Sequence, residues 1–176
     1  MNKFRLKMSR QLGEQIAKDH GFDSFPIDPF SIAEENEILV QAKPPDQPGA
    51  SGSIVFNNDG AGITYSTFIQ NEGFINFTVA HELGHYFTPG HPEEICKSGS
   101  KHSSKAGFSQ GDKSIEIEAD HFASGMLLPT HLVKSELLNS TIGLEGILSL
   151  AEKAKCSVTA AAIRTSECAP YPIAIV

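Results

Sequence analysis

The sequence predicts an α+β fold, a mainly helical single domain with a small β-sheet or hairpin packed beside one central helix. Three observations carry this expectation. Most of the chain shows apolar residues at helical spacing, while two short β-rich runs flank the turn signal Asn57-Asn-Asp-Gly60. A chain of 176 residues, 40% hydrophobic and 20% charged, has the size and composition of one unit that buries its own core. Neither an internal repeat nor a second boundary interrupts it, so residues 1–176 read as a single domain.

Taken in order, residues 8–20 read as a first helix with Leu12 and Ile16 inward and Gly21 as its stop. Two prolines punctuate the next segment, leaving a short helix over about 29–36 and a strand over 37–42. Lys43-Pro-Pro-Asp-Gln-Pro-Gly is a loop by composition. Residues 53–56 and 61–67 form the hairpin, which delivers a strand just ahead of the next helix. A sheet edge there can hold an extended peptide through main-chain hydrogen bonds, or simply cover the helix.

Residues 74–87 are helical by the recurrence of Ile75, Val79, Leu83 and Tyr86, and Thr88-Pro-Gly-His-Pro stops the helix. Residues 93–113 are polar and without periodicity, and read as a mobile loop and a candidate lid. A helix over 114–128, closed by Pro129, presents Ala119, Phe122, Ala123, Met126 and Leu127 on one face. Three more helices are expected over 129–138, 144–155 and 158–167. Residues 171–176 read as a strand without a following turn, which leaves open a natural chain that continues past Val176.

Composition narrows the function. A net charge of −7 with no Lys/Arg cluster argues against direct nucleic-acid binding. No signal peptide and no membrane span are visible, so a cytoplasmic location is the expectation. Cys96, Cys156 and Cys168 are sparse, odd in number and without C-x-x-C spacing, which fits a reducing compartment. Cys96, near the central helix, reads as a loop or packing residue.

The chemistry concentrates in His81-Glu82-Leu-Gly-His85, an H-E-x-x-H motif. On a helix, His81 and His85 project from one face a turn apart and can share one Zn²⁺, while Glu82 is rotated aside and suited to take a proton from water. Two imidazoles need a third protein ligand. His91 follows His81 by ten residues, the spacing of a metzincin third histidine, with Met126 as an imaginable Met-turn; Thr88 occupies the position where that pattern requires Gly. Glu116 is the other candidate, because it shares a helix face with Asp120, Ala119 and Ala123. Glu116 would ligate while Asp120 accepts the second N–H of a ligating histidine. Glu118 points about 200° around the helix from Glu116 and is the poorer ligand. A solvated acidic face is the alternative to both.

Thr78-Val-Ala-His-Glu-Leu-Gly-His-Tyr-Phe87, with the later Glu116-Ile-Glu-Ala-Asp-His-Phe-Ala-Ser-Gly-Met-Leu-Leu-Pro129, resembles the ImmA/IrrE-type metallopeptidases. The resemblance extends from the Asp28-Pro-Phe-Ser-Ile-Ala segment to residues 157–164. It implies that His81, His85 and Glu116 bind zinc and that Glu82 is the general base. It further implies a bacterial, cytoplasmic regulatory protease that cleaves a helix-turn-helix repressor or antitoxin partner. The competing expectation is a zinc-stabilised, non-catalytic module that sequesters such a repressor. Tyr86, His91 and His102 are candidates for stabilising an oxyanion, and His20, His121 and His131 read as solvent-facing or packed side chains.

Overall fold

Helix α1 (Lys3–Asp19) begins the computed structural model, which describes residues 3–44, 49–58, 60–104, 114–140, 143–170 and 172–173. The remaining elements, in order, are α2 (Pro29–Glu35), β1 (Leu39–Lys43), β2 (Gly52–Asn57), β3 (Gly60–Ser66), α3 (Glu72–Phe87), α4 (His91–Lys97), β4 (Lys101–Ser104), α5 (Ser114–Leu127), α6 (Thr130–Asn139), α7 (Leu144–Lys153) and α8 (Val158–Cys168). The fold is the α+β, mainly helical arrangement that the sequence predicts.

The four strands form one sheet in the order β1-β3-β2-β4. The β2–β3 hairpin is antiparallel, with Ile54 opposite Ile63, and β1 joins β3 in parallel. On the other side β4 pairs antiparallel with β2, Ile54 opposite His102 and Gly52 opposite Ser104. Among the described residues the hairpin therefore has no free edge on either side, and the sheet's edge strand next to β2 is β4. Residues 93–104 are thus not one long loop: α4 takes the first part and β4 the last, with a three-residue turn between them, and the lid expectation fails there. The remainder of that expectation, residues 105–113, lies outside the described residues. Lys-His-Ser-Ser carries no apolar alternation, so β4 is held by its ladder to β2 and by its side-chain contacts rather than by propensity. Of the expected strand at 171–176 only Pro172 and Ile173 are described, and neither is in a strand.

Helix α3 lies across the sheet. The Asn71 side chain caps it, accepting the Phe74 N–H at 2.9 Å. Its second half is buried on all sides, Thr78 through His85, which explains why four polar or ionisable residues there need partners inside the protein. Loss of the cap through Asn71→Ala is expected to cost about 1 kcal/mol, read from the midpoint of urea unfolding.

Helix α5 is sandwiched between α1 and α3. Against α1 the spacing is set by glycine: a Cβ on Gly13 would meet the Phe122 carbonyl oxygen and the Met126 nitrogen, and one on Gly125 would meet the Arg10 carbonyl. The buried face of α1 is accordingly Leu6 followed by Ser9, Gly13 and Ala17, the last three small residues that admit close approach, with Leu12 and Ile16 only partly buried. The helix also starts five residues earlier than its apolar pattern suggests.

Two apolar clusters result. The larger, including Ile27, Ile32, Ile54, Ile63, Val79, Leu83, Phe122 and Met126, fills the space between the helices and the sheet. The smaller gathers Leu128, Val133, Leu150 and Ala161 from the C-terminal helices. Buried Arg164 ties this layer to the rest by donating to the Leu128 carbonyl at 2.7 and 3.1 Å, Thr130 Oγ1 at 3.1 Å and Glu14 at 3.2 Å. Among the described residues no helix is long and apolar enough to cross a membrane.

Candidate metal centre

Helices α3 and α5 run side by side, and Gly84 brings them together: a Cβ there would lie 3.1–3.2 Å from Ala119 and Phe122. This close approach aligns the histidine face of α3 with the Glu116–Asp120 face of α5. The structure places His81, His85 and Glu116 with one ligand atom each, all within 4.8 Å of one another. The Nε2 atoms of the histidines are 3.2 Å apart. Glu116 Oε1 is 3.3 Å from His85 Nε2, and its Oε2 is 3.7 Å from His81 Nε2. Donors about 2.0–2.1 Å from a tetrahedral ion lie about 3.4 Å from each other, so three donors gathered within 4.8 Å are close enough to converge on one small divalent cation. An imidazole–imidazole–carboxylate donor set is the right chemistry for it.

Each donor is held from behind. Asp120 Oδ1 lies 2.8 Å from His81 Nδ1, the arrangement expected of a carboxylate that fixes the ring's tautomer. Behind His85 is His91, their Nδ1 atoms 3.2 Å apart, and His91 Nε2 is 3.3 Å from Glu118 Oε2. With His85 Nε2 turned toward Glu116, its Nδ1–H donates to His91, and His91 in turn donates to Glu118. Glu118 is buried, paired with Arg5 at 2.9 Å and bonded by Ser114 at 2.6 Å. Glu116 Oε1 accepts from His102 Nε2 at 2.5 Å.

His91 is therefore not the metzincin-type third ligand; it opens α4 and supports His85. Met126 is a fully buried core side chain inside α5, not part of a turn. Of the three residues considered for an oxyanion, His91 backs His85 and His102 holds Glu116, while the Tyr86 ring stacks on Phe56 at 6.4 Å. Sequence reasoning missed the support given by His91 and Glu118, although the direction of Glu118, away from Glu116, was the available signal. Cys96 is exposed on α4. His20 closes the end of α1, donating to the Ile16 carbonyl at 2.8 Å, His121 lies 3.2 Å from Arg10 Nη2, and His131 is exposed.

The electrostatics are those of a slot built for positive charge. Burial would lower the His81 pKa, but its bonds to Asp120 and Glu116 and the nearby Glu82 charge carry it up to about 10. His85 goes the other way, to about 4, because burial and the His81 charge outweigh Glu116. Burial opposes ionisation of Glu116, yet hydrogen bonds from His102 and His81 hold its carboxyl well below the usual range. A protonated His81 beside an ionised Glu116 occupies the place a cation would take.

Glu82 is fully buried beside this cluster. Ser104 Oγ on β4 donates to its Oε1, while among the described residues Oε2 has no partner. Gly52 makes room for it, since a Cβ there would collide with the Glu82 carboxylate and with Thr78. Burial pushes its pKa up, partly offset by the His81 charge and the Ser104 bond.

Asp120→Ala is expected to weaken metal binding by about 10–100-fold, measured by competition with a chromogenic chelator, and His91→Phe by about 10-fold. Equal affinity in both variants would show that the outer partners do not orient the rings.

No curated protein matches the chain significantly. A family model, the IrrE N-terminal-like domain of the peptidase M78 group, matches residues 70–166. That span takes in α3 with its H-E-x-x-H, β4, α5 and nearly all of α8. A match over more than half of the chain, covering both motif helices, places this protein in the IrrE N-terminal-like family of metallopeptidases.

Proposed function

We infer that this chain is a zinc-dependent endopeptidase. The observation that carries the reading is Glu82: a buried carboxylate with one oxygen lacking a partner among the described residues, set beside the three donors and raised in pKa. A module that used metal only for stability would have no need of it. Burying such a group costs free energy, and that cost is understandable where the group handles a proton.

His81, His85 and Glu116 would hold the ion. When bound, it supplies Lewis acidity, which makes water a nucleophile near neutral pH and polarises a peptide carbonyl. Glu82 takes the proton of the attacking water on Oε2 and delivers it to the departing amine, a shuttle that a raised carboxyl pKa favours. Ser104 fixes the other oxygen, so Glu82 is oriented before substrate arrives. Asp120, His91 and His102 keep the donors from turning. An extended peptide has a natural rest on the outer edge of β4, where main-chain groups can pair with it.

The family resemblance extends this to a regulatory protease of the bacterial cytoplasm whose substrate is a helix-turn-helix repressor or antitoxin. The test is incubation of the zinc-loaded protein with a candidate repressor, with and without 1,10-phenanthroline. Fragments that the chelator prevents are the expected result. Tight binding with no fragments over hours would instead support the sequestering module.

A further inference from the structure

Beyond the metal ligands, the groove between α3 and α5 does not end. Along α3, Phe77 and Phe74 follow His81 toward the N-terminus at helical spacing, and along α5, Ser124 and Leu127 follow Asp120. These residues line a cavity of about 400 Å³, closed on its far side by the start of α8. Phe77 lies about one turn from His81 on α3 and Ser124 about two turns from Glu116 on α5, so the cavity begins roughly 6–12 Å from the ligands along the helices. An extended peptide advances about 3.3 Å per residue, which puts the cavity within two or three residues of a bond held at the metal.

The lining is selective. It includes no Asp, Glu, Lys or Arg, so a charged side chain entering it would lose water and gain no partner. Its volume lies in the range of small-molecule sites, about 300–1,000 Å³, ample for a large aliphatic or aromatic side chain. Half-exposed Ile163 forms an apolar lip. No metal ligand lines the cavity, which lies further along the same two helices that carry those ligands.

We propose that this cavity is a specificity pocket that takes a large apolar side chain of the peptide substrate, two or three residues from the scissile bond. The assignment rests on the endopeptidase reading for its place in a reaction, but the pocket's affinity for an apolar side chain is measurable without cleavage.

Two readouts test it. In the first, the zinc-loaded protein digests a degenerate peptide mixture and the cut sites are read by mass spectrometry. Leu, Ile, Met or Phe should be enriched at one position within three residues of the cut. Ser124→Trp fills the pocket from α5, and Thr159→Trp fills it from an exposed position on α8. Each should keep full zinc content and lower kcat/KM for peptides with a large apolar residue at that position by about 10–100-fold.

In the second readout, N-acetylleucinamide is titrated into ¹⁵N-labelled protein, with N-acetylalaninamide as control. The leucine compound should shift the amides of Phe74, Ser124 and Ala160, and the shifts should vanish in both Trp variants. Cleavage without apolar enrichment, or enrichment that both variants leave intact, overturns the pocket while the peptidase reading stands. Leucine-specific shifts in a zinc-loaded protein that cuts nothing uphold the pocket and remove the peptidase reading. Absent shifts together with absent enrichment overturn the pocket.

Discussion

Glu82→Gln should retain a full equivalent of zinc and lose about 10²–10⁴-fold in peptide hydrolysis, the usual share of a positioned general base. Glutamine has nearly the shape of glutamate, and its carbonyl oxygen can still accept from Ser104, so the helix and β4 stay in register. His81, His85 and Glu116 are untouched, and the donor edges of 3.2–3.7 Å are unchanged. What disappears is the basic oxygen. The substitution also removes a buried ionisable group, so the variant should unfold at no lower urea concentration than the parent. Loss of activity with lost zinc or lost stability would mean that Glu82 is structural. Full activity with full zinc would mean that another group accepts the proton. Metal analysis, urea unfolding and initial rates on one preparation separate these outcomes.

The helices that carry the site were legible because their signals are local. H-E-x-x-H puts two rings on one face wherever it is helical, and the i, i+4 spacing of Glu116 and Asp120 puts both carboxylates on the other helix. The Ala119–Ala123 stripe between them announced that this face meets a neighbour. Illegible were the parts whose cause is tertiary. β4 is a polar tetrapeptide that becomes a strand only because β2 offers it a ladder, and with it His102 and Ser104 arrive at the site from a stretch that reads as loop. His91 has metzincin spacing, but α3 ends at Phe87 and Gly90, in the left-handed region at φ 93°, starts a new helix. That redirection turns the ring toward the back of His85. The N-terminal helix misled in a simpler way: periodicity arguments weight large apolar residues, and beyond Leu6 its inward face is made of serine, glycine and alanine.

Those glycines set the last prediction, in which two effects oppose. In an isolated helix Gly125→Ala would be favourable by about 1 kcal/mol, because alanine loses less backbone entropy. In this protein the new Cβ points at the Arg10 carbonyl of α1, a backbone atom that no rotamer change can move aside. Overpacking of this kind costs about 1–3 kcal/mol and more where backbone must shift, so alanine should be destabilising and Gly125→Val should lose at least about 3 kcal/mol in urea unfolding. Gly13→Ala strains the same interface from the other helix, against Phe122 and Met126. Once either substitution has moved α1 outward, the second meets less resistance, and the double variant should cost less than the sum of the singles. Neither touches the α3 side of α5, so the folded fraction should bind zinc as before. Gly84→Ala differs in kind: its Cβ would press on Ala119 and Phe122 and separate α3 from α5, which parts the two imidazoles from Glu116. Its deficit should appear in metal affinity, and a variant that lost stability alone would show that the close approach at Gly84 does not set the distance between the ligands.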